Sequence, residues 1–226
     1  MKIVSIGEVL WDVYPNQDYI GGSPFNFSVH ANRLGHDVLF ISAIGVDKRG
    51  KLALKTIHDH GLSTKYINEV KEYPTGYVDV IIDVDGSPSY NIHRPAAYDY
   101  LSLTPEQIKD IISFQPQWLY FGSINQMSSI VRNLTNKLIR LLPKIRCFFD
   151  MNLRNGHYSL GIIKELLESS SILKLNSHET QICCELFGKK SMELEDYCKW
   201  IVDEFKLEGV CITMGSKGCL TYFDGK

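Results

Sequence analysis

A chain of 226 residues with 44% apolar and 22% charged side chains carries enough material for one substantial core, which excludes a disordered segment. Its net charge of -2 gives no general pull on nucleic acid or anionic membrane, and no apolar run approaches spanning length, so neither partner is expected. Glu8 and Asp12 interrupt the one N-terminal stretch that could act as a secretory signal, and the expected location is the cytoplasm.

In chain order, strand-like apolar runs fall at residues 2–9, 38–44, 118–121, 147–150, 172–175 and 209–213. Helical patterns occupy 24–34, 47–60, 105–114, 129–142, 159–169, 177–187 and 193–205. Buried β-branched runs alternating with amphipathic helices predict an α/β fold, a mostly parallel sheet covered on both faces. The first helix follows Gly21-Gly22-Ser23-Pro24-Phe25-Asn26. Ser23 is the expected N-cap, Pro24 suits the first helical position and Gly35 the stop. The two glycines admit a close ligand, and Asn26 offers donors and an acceptor one turn on, a combination that suits a small polyhydroxylated ligand or forms an ordinary turn. Thr104-Pro105-Glu106-Gln107 has the pattern of a capping box.

One region departs from the alternation. Residues 77–84 place Val78, Val80, Ile82 and Val84 on one face, Asp85-Gly86 reads as a turn, and 89–94 can return antiparallel. Residues 9–14 also alternate. Either a small separate sheet forms a flap over the main one, or a plain surface hairpin results.

Ligands of open α/β sheets sit outside the carboxyl ends of the strands. Past those ends come Gly45 and Asp47, Gly122 and Ser123, Asn152 and Arg154, Asn176 and Glu179, and Thr213, Gly215 and Gly218. Glycine turns and helix starts of this kind favour a nucleotide site. Two alternatives fail. Gly45-Val46-Asp47-Lys48-Arg49-Gly50-Lys51 has P-loop spacing, but Leu52 stands where a magnesium-binding hydroxyl belongs. No G-x-G-x-x-G follows the first strand, which disfavours a dinucleotide oxidoreductase. The six cysteines, all from Cys147 onward and without C-x-x-C, read as buried reduced thiols. His58 and His60, two apart at a helix end, point different ways and make no metal site.

The chain resembles the ribokinase-like (PfkB-type) carbohydrate kinases, and among them bacterial fructokinases. The matching stretches are Gly7-Glu8-Val9-Leu10-Trp11-Asp12, the Gly21–Asn26 run with Arg33-Leu34-Gly35, and Ile44-Gly45-Val46-Asp47 through Gly50. Asp150-Met151-Asn152-Leu153-Arg154, Asn176-Ser177-His178-Glu179 and Thr213-Met214-Gly215-Ser216-Lys217-Gly218 follow in the family's order. The resemblance implies a three-layer sandwich formed by a single domain over 1–226, with lid segments near 9–20 and 75–97 and its C-terminal part missing. It implies that Asp12, Gly21, Gly22 and Asn26 hold sugar hydroxyls, with Arg94 reaching in from the lid. Arg154 would balance charge on the transferred phosphoryl group. Asn176, Thr213, Gly215, Ser216, Lys217 and Gly218 would bind ATP, and Glu179 would organise Mg2+ through water.

The implied reaction is ATP-dependent phosphorylation of a sugar, fructose first, by a homodimer paired through the lid. A kinase for 2-keto-3-deoxygluconate, a nucleoside or another hexose is the alternative, as is a non-catalytic sugar- or nucleotide-binding remnant. The family's Gly-Ala-Gly-Asp segment, whose Asp serves as general base, does not occur in these 226 residues. Little or no kinase activity is therefore expected of this chain alone.

Overall fold

A computed structural model describes residues 1–82, 88–154, 156–223 and 225–226. Eight strands form the main sheet in the order β12-β11-β10-β9-β8-β1-β4-β5. They are β1 (Lys2–Ile6), β4 (Asp37–Gly45), β5 (Ile67–Val70), β8 (Trp118–Gly122), β9 (Arg146–Asp150), β10 (Ile172–Asn176), β11 (Gly209–Thr213) and β12 (Cys219–Phe223). All neighbours are parallel except β11 and β12. A second sheet has the order β3-β2-β6-β7, from β2 (Leu10–Val13), β3 (Asp18–Gly21), β6 (Gly76–Ile82) and β7 (Pro88–Ile92).

The alternation of side chains divides the interior into two cores. On one face Ile3, Val38, Phe40 and Ile44 pack against Phe25 and Val29 of α1 (Ser23–Arg33) and Ala53 and Ile57 of α2 (Lys48–Asp59). On the other, Val4, Ile41, Leu119, Phe149 and Leu173 meet α3 (Pro105–Phe114), α5 (Ser129–Leu141), α6 (Leu160–Glu168), α7 (Ser177–Leu186) and α8 (Leu194–Phe205). A four-residue helix, α4 (Ser123–Gln126), lies between β8 and α5. The first face is less completely clothed: over β8 to β10 an apolar groove of about 420 Å³ runs between α1 and Trp118, Tyr120, Phe148 and Ile172.

Local chemistry explains most boundaries. The capping box of α3 forms as its sequence predicts, with Gln107 N–H donating to Thr104 Oγ1 at 3.2 Å and Thr104 N–H to Gln107 Oε1 at 2.9 Å. Gly35 adopts φ +81° beyond the end of α1, a conformation that glycine takes without a Cβ penalty. The start of α1 corrects the sequence reading. Gly22, at φ +107°, is the cap residue, no side-chain cap bond forms, and the Ser23 hydroxyl turns elsewhere. Asp47 likewise serves the fold: it caps α2 by accepting from Gly50 N–H at 2.7 Å and also holds Thr75 through the backbone and hydroxyl.

The alternating region forms a sheet of four strands, the flap arrangement of the two that the sequence allowed, with β2 pairing parallel to β6 and Val78 and Val80 buried. The Asp85-Gly86 turn, like Asp83 and Val84, lies outside the described residues. Asp224 is also outside them, while Phe223 and Lys226 exchange two backbone hydrogen bonds of 2.9 Å around it. No disulfide joins the cysteines; Cys147, Cys183, Cys184 and Cys198 are buried free thiols, Cys211 is half-buried and Cys219 exposed. Burial pushes the Cys147 and Cys183 thiols up to about 12. Among the described residues no helix is long and apolar enough to cross a membrane.

Candidate active site

Because β1, β4, β8, β9, β10 and β11 run parallel, their carboxyl ends share one rim of the sheet. The small sheet stands over part of that rim, and a cleft of about 540 Å³ opens between them. Leu10, Asp12, Val78, Tyr90 and Ile92 come to it from the small sheet, Gly22, Ser23 and Asn26 from the head of α1. Asp150, Asn152, Arg154 and Lys174 come from the ends of β9 and β10. Four predicted residues from separate parts of the chain, Asp12, Gly22, Asn26 and Arg154, thus border one cavity.

The glycines of the turn are dictated by close approach. A Cβ at Gly22 would lie 2.4 Å from the Glu8 carbonyl oxygen, and one at Gly21 would lie 2.7 Å from Asp12 Oδ2. Gly21 itself is buried beside the carboxylate and pairs with Leu10 across β2 and β3. Burial raises the Asp12 carboxyl above its usual range, and the Arg154 charge pulls it partly back. Asn152 adopts φ +38°, which an asparagine accepts more readily than most side chains, and turns the chain after β9 so that Arg154 reaches the cleft. The Arg154 guanidinium lies 5.7 Å from the Tyr90 ring centre and donates to the Leu153 carbonyl at 3.0 Å.

At the cleft wall, Asp150 gathers three donors from three elements. Ser23 Oγ and the Tyr120 hydroxyl reach Oδ2 at 2.8 and 2.7 Å, and Lys174 Nζ reaches Oδ1 at 2.9 Å. Ser23 and Tyr120 are also within 2.7 Å of each other. This is where the expected helix cap of Ser23 is redirected. Tyr120 and Lys174 were not legible as site residues, because a tyrosine and a lysine inside strand patterns carry no local signal of what they face.

Two predicted residues sit in other surroundings. Arg94 does not line the cleft: its guanidinium pairs with Asp99, both nearly buried, and donates to the Ile124 carbonyl at 2.8 Å. Glu179 is 3% exposed and accepts from Asn176 N–H at 2.7 Å and Leu153 N–H at 2.6 Å. It closes a capping box with Asn176 and ties the segment bearing Arg154 to the head of α7. Burial raises its carboxyl, with the two backbone donors opposing.

The predicted nucleotide residues lie on the next two strands of the same rim. Asn176 and Thr213 are direct partners across β10 and β11, and Asn176 Oδ1 accepts from His178 and Glu179 N–H at 2.9 Å each. Gly215 to Lys217 form a short 3-10 turn, with Gly215 at φ +60° and Gly218 at φ +89°. Nothing lies within 4 Å of a Cβ built on either glycine, and Ser216 and Lys217 are exposed. The Met214, Lys217 and Gly218 N–H groups bond within the turn, whose open glycine backbone and exposed lysine fit a polyphosphate. A protein-built metal centre does not fit: among the described residues no three His, Cys, Asp or Glu side chains cluster. Each Glu179 oxygen already accepts one backbone N–H group.

This arrangement is that of a sugar kinase, and the chain matches the pfkB family carbohydrate kinase pattern over residues 2–226; it belongs to that family. Its relatives include a fructokinase from Escherichia coli, 24% identical over 100% of this chain and 75% of the relative. An ATP-dependent 6-phosphofructokinase from Thermoanaerobacterium thermosaccharolyticum is 25% identical over 96% of this chain and 70% of its own length. Among solved structures, a fructokinase from Xylella fastidiosa with bound ATP superposes with a TM-score of 0.85 at 20% identity, covering all of this chain and 72% of that one. A Vibrio cholerae fructokinase bound to fructose, ADP and calcium gives 0.81 at 24%, covering 100% and 74%.

Proposed function

We propose that this chain forms the sugar and nucleotide cleft of an ATP-dependent kinase whose substrate is fructose. The observation that supports this most is the convergence of Asp12, Gly22 and Asn26 with Arg154 in one cleft under the small sheet. A carboxylate and an amide beside an unobstructed glycine suit hydroxyl groups, because together they accept and donate without a side chain in the way. Arg154, at the other end, suits charge on a phosphoryl group. Asn176 and the turn from Thr213 to Gly218 would hold ATP, whose γ-phosphate a primary hydroxyl attacks in line; Mg2+ would supply charge neutralisation on the phosphates. Closure of the small sheet would exclude water and limit ATP hydrolysis.

The general base that such transfer needs is absent from these residues, so the chain by itself binds sugar and turns over little or none. Calorimetric titration with fructose, 2-keto-3-deoxygluconate, other hexoses and nucleosides ranks the substrates. Fructose is expected first, with Asp12→Ala weakening it at least about tenfold, since a lost charged hydrogen bond is worth roughly 1.5–3 kcal/mol. A wild-type chain preferring a nucleoside sinks the fructose assignment, and rapid ADP release by these 226 residues sinks the inactivity. We also propose pairing of two copies through the small sheet, which presents Tyr19, Ile81 and Tyr90 about half exposed. Sedimentation at micromolar concentration should give a dimer; a monomer removes this reading.

A further inference from the structure

Buried polar groups almost always have hydrogen-bond partners. Among those that do not are Glu8 Oε2, both amide atoms of Asn125, and the Tyr98 hydroxyl. They belong to one neighbourhood. A Cβ at Gly7 would lie 3.4 Å from Asn125 Nδ2, while Tyr98 packs with Leu10 and Ile124, and Glu8 and Tyr98 interact electrostatically. Of the three, only Glu8 borders the cleft, at 1% exposure. Its carboxyl interacts with the backbone N–H groups of Glu8 and Ser23 and electrostatically with Asp150, Arg154, Tyr98 and Tyr120.

We propose that Glu8 is a specificity-determining residue of the cleft, whose carboxyl hydrogen-bonds a hydroxyl of the bound sugar from the floor, behind the layer formed by Asp12 and Asn26. This rests on the sugar reading and extends it. A carboxyl beside Asp150 repels a phosphate, which leaves a neutral hydroxyl as the fitting partner. The cleft is about 540 Å³, ample for a hexose. A sugar hydroxyl both donates and accepts, so it satisfies Glu8 Oε2 whether or not the carboxyl carries its proton. A ligand lacking that hydroxyl leaves the buried oxygen unpaired, and such a mismatch discriminates far more sharply than a change of apolar contact.

The experiment pairs variants with ligands. Fructose and its 1-, 3-, 4- and 6-deoxy derivatives are titrated calorimetrically into wild type, Glu8→Gln and Glu8→Ala, after each variant is checked for a cooperative melt. Glu8→Ala is expected to weaken fructose at least tenfold and Glu8→Gln less, because the amide keeps both hydrogen-bonding roles. One deoxy sugar should bind wild type at least tenfold worse than fructose yet bind Glu8→Ala about as well as fructose does, a coupling that a merely structural role would not produce. If Glu8→Ala fails to fold, the same loss of discrimination is read in Glu8→Met, which fills the volume without a hydrogen-bonding carboxyl. Equal discrimination among the sugars in wild type and the folded variant overturns the proposal. A wild type that binds fructose but ignores Glu8 removes this inference alone; one that binds no hexose removes the sugar reading and this with it.

Discussion

Asp150→Ala should lower the stability of the chain by about 3 kcal/mol, read as a shift in the urea midpoint at unchanged slope. Asp150 is 5% exposed and is the common acceptor for Ser23, Tyr120 and Lys174. Removing it strands the Tyr120 hydroxyl, which is 2% exposed and keeps only Ser23 as partner. Deleting one partner of a fully buried ion pair costs roughly 3–5 kcal/mol, but the Lys174 side chain is 32% exposed and can turn toward water, which favours the low end. Asp150→Asn keeps the shape and an acceptor, and should lose about half as much. A change below about 1 kcal/mol for Asp150→Ala would show that water replaces the carboxylate without penalty, contrary to the geometry.

Glu8→Gln should make the chain more stable than wild type at alkaline pH and leave the two nearly equal in mild acid. Burial pushes the Glu8 carboxyl from its ordinary 4.5 up to about 7; the backbone donors of Glu8 and Ser23 oppose this, Asp150 reinforces it and Arg154 reduces it. A carboxyl whose folded value is raised binds its proton more tightly when folded. Its contribution is therefore complete below the unfolded value and is lost as pH rises through the folded one. From about pH 5.5 to about pH 8.5 wild type should lose roughly 2 kcal/mol relative to Glu8→Gln, since each pKa unit corresponds to about 1.4 kcal/mol. Urea titrations of both proteins at the two pH values test it, and parallel pH profiles would refute it. The two predictions are coupled: burial is the main cause of the Glu8 shift and Asp150 adds to it, so Asp150→Ala should also lessen somewhat the pH dependence that Glu8 causes, and the double variant should not be additive.

Element type and order were legible in the sequence because they follow from local periodicity. Short continuous apolar runs found β1, β4, β8, β9, β10 and β11, and period-3.6 patterns with caps found every long helix. β3 and β5 escaped because they are four residues long, polar in part and half-exposed, so neither presents an alternation long enough to read. α4 escaped because Ser-Ile-Asn-Gln is buried on all sides and shows no amphipathic face.

The site divided along the same line. Asp12, Gly22, Asn26 and Arg154 stood out as candidates because a glycine turn before a helix and an arginine past a strand end carry local signals, and the fold brings these four to one cleft. What Arg94, Glu179 and Ser23 do was decided only by tertiary structure. Each carries a charge or hydroxyl that reads alike at a ligand and at a backbone donor, and its partners, Asp99, Leu153 and Asp150, come from sequence separations of 5, 26 and 127 residues. Glu8 shows the reason most plainly: a glutamate is a glutamate in any sequence, and only burial beneath a cleft, set by strands from both sheets, withholds its water and shifts its proton.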